Sequence, residues 1–232
     1  MTRTGQNKVD DAFGIAGTAG PDPWEAAYLR METSKQAIHR AAKRLQKLGV
    51  AQLPRDARIV ELFCGRGNGL HALARLGFTR LEGVDFSPRL LALYSGSAKC
   101  YVSDCRQLPF PDHSRDVLIV QGGLHHLPSL PESLAQTLAE MHRVTRKEGR
   151  LIVVEPWRTP FLRLVHWTLD VPLVRCRPRK LEALASMIEY ERYTYESWLK
   201  QPELILDLSH KYFSPVHEFF AWGKWFFVGA PA

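Results

Sequence analysis

The stretch Glu61-Leu-Phe-Cys-Gly65-Arg-Gly67-Asn-Gly69 constrains this chain more than any other. It opens within Arg58-Ile-Val-Glu-Leu62, which is short, apolar and rich in β-formers. An apolar-periodic run follows from about Asn68 to Leu76 and stops at Gly77. A strand, a glycine turn and a helix in that order make the opening unit of an open α/β sheet. Glycines at 65 and 67 let the backbone turn sharply and let a ligand approach with no Cβ in the way. The rhythm then repeats. Leu81–Asp85, Tyr101–Asp104, Asp116–Gln121 and Arg150–Glu155 read as strands. Ser87-Pro88 caps and opens one helix, and a longer one spans about Leu130 to Thr145. Such alternation predicts a parallel sheet covered on both faces, and the unbroken apolar run Val117–Val120 suits its buried middle. Val216–Trp222 and Lys224–Val228 flank Gly223-Lys224, a pair suited to a two-residue hairpin turn. The expected fold class is therefore α/β: a doubly wound, seven-stranded sheet, mostly parallel with an antiparallel C-terminal hairpin, in three α/β/α layers.

Residues 1–22 mix Gly, Thr, Asp and Pro without periodicity and are expected to form a flexible tail. The rest, 23–232, reads as a single domain. Ile38, Ala41, Leu45 and Leu48 share one helical stripe, which predicts an N-terminal helix over 24–49. Residues 156–212 break the α/β rhythm with Pro156, Pro160, Pro172 and Pro178, several aromatics and a helical stretch around Leu181–Tyr190, and are expected to form an inserted cap. Tyr190, Tyr193, Tyr195 and Trp198 would be cap core or an aromatic pocket wall. The four cysteines, Cys64, Cys100, Cys105 and Cys176, include no Cys-x-x-Cys pair and have no His at zinc-finger spacing, so no metal is expected. The polar start and the lack of an apolar run near the roughly 18 residues needed to cross a bilayer predict a cytoplasmic protein with reduced thiols. The net charge of +7 is spread thinly along the chain, whereas a nucleic-acid surface concentrates it. The densest basic cluster, Arg175, Arg177, Arg179 and Lys180, reads as a solvated face, with contact to an anionic acceptor as the competing reading.

A Gly-x-Gly alone is a weak signal, and its setting sharpens it. Glu61 ends the first strand, and Asp85 ends the second, 18 residues after Gly67. A carboxylate in the second position accepts hydrogen bonds from a ribose diol. A dinucleotide fingerprint would need a third glycine at position 70, which is Leu70. Glu61 would also repel a pyrophosphate, but it suits a cationic ligand that bears an amino acid. S-adenosylmethionine has a sulfonium, an ammonium, a ribose and no phosphate, and is the favoured cofactor over NAD.

From about Arg58 to Pro156 the chain resembles the class I S-adenosylmethionine-dependent methyltransferases, the Rossmann-like group that includes the quinone-pathway enzymes. The resemblance rests on motifs in order: Glu61 to Gly67, Gly83-Val-Asp85-Phe-Ser87, Ser103-Asp104-Cys105, Leu108-Pro-Phe-Pro-Asp112, Gln121-Gly-Gly-Leu-His-His-Leu127, and Arg143 to Leu151. It implies that Gly65 and Gly67 pass under the methionine part with Glu61 nearby. Asp85 would hold the ribose beside Phe86, and Asp104 would reach the adenine amino group beside Cys105. Gln121 completes the expected cofactor contacts. Phe63 stands where many members have glycine and would place a ring beside the loop. His125 and His126 are candidate catalytic groups, because imidazole titrates near neutrality and lies where the fourth strand meets the acceptor. The competing reading makes them pocket wall. Glu155 either binds substrate or closes the fifth strand. The implied activity is in-line methyl transfer to a small, partly apolar metabolite. A nucleic-acid acceptor is disfavoured because Gln121-Gly-Gly-Leu stands where base-modifying members carry Asn/Asp-Pro-Pro-aromatic. A cofactor-binding scaffold without turnover is the alternative from outside the enzymes.

Overall fold

The computed structural model describes residues 23–31, 34–162, 183, 186–187 and 189–232. The tail 1–22, the basic cluster from Arg175 to Lys180, Cys176 and half of the stretch 181–190 lie outside them. Seven strands form one sheet: β1 (Arg58–Leu62), β2 (Arg80–Asp85), β3 (Lys99–Val102), β4 (Arg115–Gln121), β5 (Thr145–Pro156), β6 (Phe213–Ala221) and β7 (Lys224–Pro231). Their order is β3-β2-β1-β4-β5-β7-β6. β1 to β5 run parallel, and β7 is antiparallel to both of its neighbours. The helices include α1 (Pro23–Met31), α2 (Ser34–Lys47), α3 (Asn68–Arg75), α4 (Pro88–Leu91), α5 (Glu132–Val144), α6 (Arg192–Lys200) and α7 (Pro202–Tyr212).

Strand residues alternate between two apolar layers, as the period of two requires. Ile59, Val117, Ile119, Ile152, Val154 and Val228 face one layer with Leu45 of α2 and Leu70 and Leu73 of α3. Val60, Leu62, Leu118, Val120, Leu151 and Val153 face the other with Leu134, Leu138 and Met141 of α5, Trp198 of α6 and Ile205 of α7. Each such side chain contributes roughly 1.5–3 kcal/mol on burial, so β4 and β5, covered on both faces, anchor the domain. The α4 start follows the sequence reading: the Leu90 N–H donates to the Ser87 hydroxyl at 3.1 Å, and Pro88 opens the helix.

Four details differ from the sequence reading. The N-terminal helical region is two helices, α1 and α2. Strand β3 lies at Lys99–Val102, because Val102 pairs with Asp85 at the end of β2, which leaves Ser103 and Asp104 in the loop beyond. The hairpin turn is Trp222-Gly223, with φ of +52° and +73°, between the paired Ala221 and Lys224. Positive φ at both central residues is the turn whose twist matches the strands. Within the stretch expected as a cap, α7 lies in the outer layer beside α5, with Ile205 fully buried in the main core.

Successive connections leave β1 toward opposite edges of the sheet, so a crevice opens between the C-terminal tips of β1 and β4. Ligands of open α/β sheets bind at such a point. The tips of β2 and β5 and the β6–β7 turn reach the same end of the sheet.

Candidate active site

The loop after β1 is held left-handed at three places: Phe63 (φ +54°), Gly65 (+52°) and Gly67 (+75°). A side chain is strained there, so Phe63 occupies a position that favours glycine. Its ring lies on Gly123, where an added Cβ would come within 2.2 Å of it. The loops after β1 and β4 therefore interlock through one aromatic ring. Gly69 has a function that spacing did not disclose. A Cβ there would sit 1.7 Å from the Glu61 Oε1, because the carboxylate fills the space beside the first turn of α3.

Glu61 and Gln121 meet across the β1–β4 crevice, where the Gln121 amide donates to Glu61 Oε1 at 3.0 Å. Burial pushes the Glu61 carboxyl up to about 7, against the pull of Gln121 and the Leu70 N–H. Glu61 Oε2, Gln121 Oε1 and Asn68 Oδ1 are buried acceptors with no donor. Leaving a buried acceptor unmatched costs about 1–3 kcal/mol. Three of them around one glycine loop suit a ligand group rich in N–H, such as an ammonium. Asp85 holds the loop's other side: Gly65 N–H donates to its Oδ2 at 2.7 Å and Ser87 N–H to its Oδ1 at 2.8 Å. Burial raises its carboxyl, and those two N–H groups oppose the rise. Phe86 lies half-buried between these anchors.

Asp104 and Cys105, expected at the adenine end, lie apart from this group in the loop after β3. Asp104 is gripped by Arg106, whose Nη2 reaches Oδ2 at 2.6 Å and whose backbone N–H reaches Oδ1 at 2.8 Å. Burial works against its charge, but the Arg106 hydrogen bonds hold the carboxyl below its ordinary range. The Cys105 thiol points into the core, 3.6 Å from the Thr137 hydroxyl, so only its backbone faces the loop side.

Several neighbours escaped sequence reasoning. Tyr28 of α1 lies over Gly65, with Oη 3.5 Å from where a Cβ would stand, and the Arg66 guanidinium sits 5.2 Å from its ring centre. Trp24, one helical turn earlier, stacks on Tyr28 at 5.4 Å. Glu25 accepts from the Ser87 hydroxyl, which ties α1 to the tip of β2. Aromatic residues at i and i+4 were the available signal, one that marks a helix face with a flat surface to cover. Tyr94 lies where a Cβ on Gly67 would be, 2.2 Å from its ring.

His125 and His126, after β4, belong to a charge network. Glu155, fully buried at the end of β5, accepts from the Gly123 and Leu124 N–H groups at 2.7 and 2.9 Å and pairs with His125 Nδ1 at 2.6 Å. His125 Nε2 lies 3.8 Å from Glu191 Oε1, and His126 Nδ1 lies 2.9 Å from Glu191 Oε2. The Trp24 indole N–H donates to the same carboxylate at 2.9 Å. Burial disfavours a charged His125, yet Glu155 and Glu191 carry it up to about 9. Glu191 is held down near 2, against its burial, by the two histidines. His125, His126 and Glu191 place potential ligand atoms within 4.8 Å of one another. His125 is tied to Glu155 and His126 to Glu191, so both histidines are already held by carboxylates. Glu191 carries no local sequence signal. Tyr195 and Trp198 are buried, while Tyr190 and Tyr193 are exposed.

Residues 60–153 match the family described as a methyltransferase domain. A demethylmenaquinone methyltransferase of Mycobacterium marinum is 31% identical over 163 residues, which cover 68% of this chain and 68% of that protein. The chain belongs to the methyltransferase family. A demethylmenaquinone methyltransferase of Corynebacterium glutamicum is 30% identical over 156 residues, covering 66% of this chain and 65% of that protein. The methyltransferase thus spans about two thirds of the length of these relatives. A TehB-like SAM-dependent methyltransferase from Corynebacterium glutamicum shares its fold, with a TM-score of 0.55 at 15% identity across 98% of this chain and 97% of that one. Its methyl-donor cofactor is S-adenosylmethionine, as the sequence motifs implied. The donor-poor acceptors and the glycine-lined loop fit that group. Among the described residues, no helix is long and apolar enough to cross a membrane.

Proposed function

We propose that this methyltransferase moves a methyl group from S-adenosylmethionine to a small, partly apolar ring acceptor of the quinol type. The observation that carries this reading is the similarity to demethylmenaquinone methyltransferases over the segment that builds the site. When bound, the cofactor supplies a methyl group already activated by its sulfonium. The protein's own task is to position donor and acceptor in line and to exclude water. Glu61, Gln121 and Asn68 would take the methionine ammonium, and Gly65 and Gly67 would let the backbone pass beneath it. Asp85 would meet the ribose while still bracing Gly65 and Ser87, with Phe86 alongside. Asp104, held by Arg106, would face the adenine with the Cys105 backbone. Phe63 would close the loop against Gly123.

In this reading His125 is a positioning residue. It is a buried cation between two carboxylates, and with Glu155 it shapes the Gly123–Leu124 turn that faces the acceptor. His126, in edge contact with Trp24 at 5.1 Å, would form wall. The test is incubation with methyl-labelled S-adenosylmethionine and either a short-chain demethylnaphthoquinol or total RNA. Label on the quinol is expected. Label on RNA alone would replace the acceptor class, and no label anywhere, despite S-adenosylhomocysteine binding, would make the chain a scaffold.

A further inference from the structure

Lys224 is the charged group that neither the donor site nor the charge network uses. It opens β7 directly after the hairpin turn, and its Cα pairs with Pro156 at the tip of β5. Counting in twos along the strand, Lys224, Phe226 and Val228 share a face, and Val228 and Phe226 pack into the layer under α2. Glu61 and Gln121 lie on this same face, as their neighbours Ile59 and Ile119 show. From β4 across β5 to β7 is two strand spacings, about 10 Å. Lys224 therefore stands about one fused aromatic ring system away from the donor end, on the acceptor side.

Arg44 and Arg40 of α2 both add like charge to the surroundings of Lys224. The acid nearest in the electrostatic sense, Glu155, points into the opposite layer beyond the sheet, where Gly123, Leu124 and His125 already occupy it. Among the described residues, no carboxylate or carbonyl accepts from the Lys224 ammonium. Burial and the two arginines pull that ammonium down to about 8. Pro156 opposite and Phe226 beside it supply flat apolar flanks.

We propose that Lys224 binds an anionic oxygen, a carboxylate or phenolate, carried on a flat apolar acceptor. This rests on the methyl-transfer reading of the neighbouring crevice and names the acceptor chemistry that reading leaves open. A charged oxygen anchored at Lys224 sets the ring's orientation toward the donor. If the anchored oxygen is a phenolate, the ammonium also stabilises the electron-rich form of the ring that attacks the methyl group.

The probes are 2-naphthoate and its neutral isostere 2-naphthamide, titrated calorimetrically at pH 7 with saturating S-adenosylhomocysteine. The wild type should prefer the carboxylate by at least ~10-fold, the scale of one charge-assisted hydrogen bond. Lys224→Met should bring the ratio to about one, and Lys224→Arg should keep most of it. S-adenosylhomocysteine affinity should be unchanged in both variants. Lys224→Met should melt no lower than the wild type, since it removes a charge without a partner. A wild type with no preference, or a preference that survives Lys224→Met, overturns the proposal. A wild type that binds neither naphthalene probe overturns it too. Failure of the wild type to bind S-adenosylhomocysteine is a separate result, and it would overturn the donor-site reading underneath.

Discussion

Glu61→Gln tests whether the carboxylate at the β1 tip is kept for function at the expense of stability. Burial lifts its pKa from 4.5 in the unfolded chain to about 7 in the fold. That difference, at about 1.4 kcal/mol per unit, amounts to about 3 kcal/mol. The folded state binds the extra proton, so this stability is fully present below pH 4.5 and is lost as pH rises through 7. Glutamine is neutral at every pH and can donate to Gln121 Oε1, which has no donor now. At pH 8 the variant should therefore be more stable than the wild type by about 3 kcal/mol, roughly 6–12 °C in melting temperature for a domain of this size. Below pH 5 the two should nearly coincide. Binding should move the other way. At pH 8 the variant should lose roughly 10-fold or more in S-adenosylhomocysteine affinity, because a charged partner for the ammonium has gone. Urea denaturation from pH 4.5 to 8.5 with parallel calorimetry reads both. A stability difference that does not change with pH, or unchanged affinity at pH 8, would refute the reasoning.

Three further outcomes can be checked. Gly69→Ala forces a methyl group onto the Glu61 carboxylate. It should destabilise by about 1–3 kcal/mol, the cost of overpacking, and weaken cofactor binding; a variant that melts and binds like the wild type would show that the loop yields freely. Asp85→Ala strips the acceptor from the Gly65 and Ser87 N–H groups and should lower S-adenosylhomocysteine affinity by about 1–3 kcal/mol in titration, whereas unaltered binding would move the ribose elsewhere. His125, held up to about 9 by Glu155 and Glu191 despite burial, contributes stability that is present below pH 6.5 and lost as pH rises through 9. Wild type and His125→Asn should therefore converge in stability toward pH 9.5, and parallel curves across that range would contradict the ion-pair network.

The strand, glycine loop and helix start around Glu61 to Gly69 were readable because their signals are local. A strand tip, a glycine turn and a helix start lie within a few residues of one another, so pattern alone puts Glu61 and Asp85 at the tips of β1 and β2 and Gly65 and Gly67 in the turn. Where pairing with a distant strand decides, local pattern carries no signal. β3 ends at Val102 because β2 offers partners only as far as Asp85, which moves Asp104 into a loop within reach of Arg106. Gly69 counted as one glycine of three until the Glu61 carboxylate was seen beside it. The histidine pair stood out in the sequence, but its chemistry depends on Glu155 and Glu191, which the chain brings back from far along its length. Similarly, α7 has the apolar stripe of any amphipathic helix, and only its packing beside α5 assigns it to the outer layer.

Sequence alone determined the class of fold, the strand that carries the glycine turn, and the kind of cofactor, because backbone sterics, periodicity and short motifs act over a few residues. Tertiary structure alone decided the charge states. Burial makes Glu61 a reluctant anion, two carboxylates make His125 a cation, and the sheet parts Lys224 from its nearest acid. Charge state depends on solvent exclusion and on partners gathered from several strands, and neither is a property of any one stretch of chain.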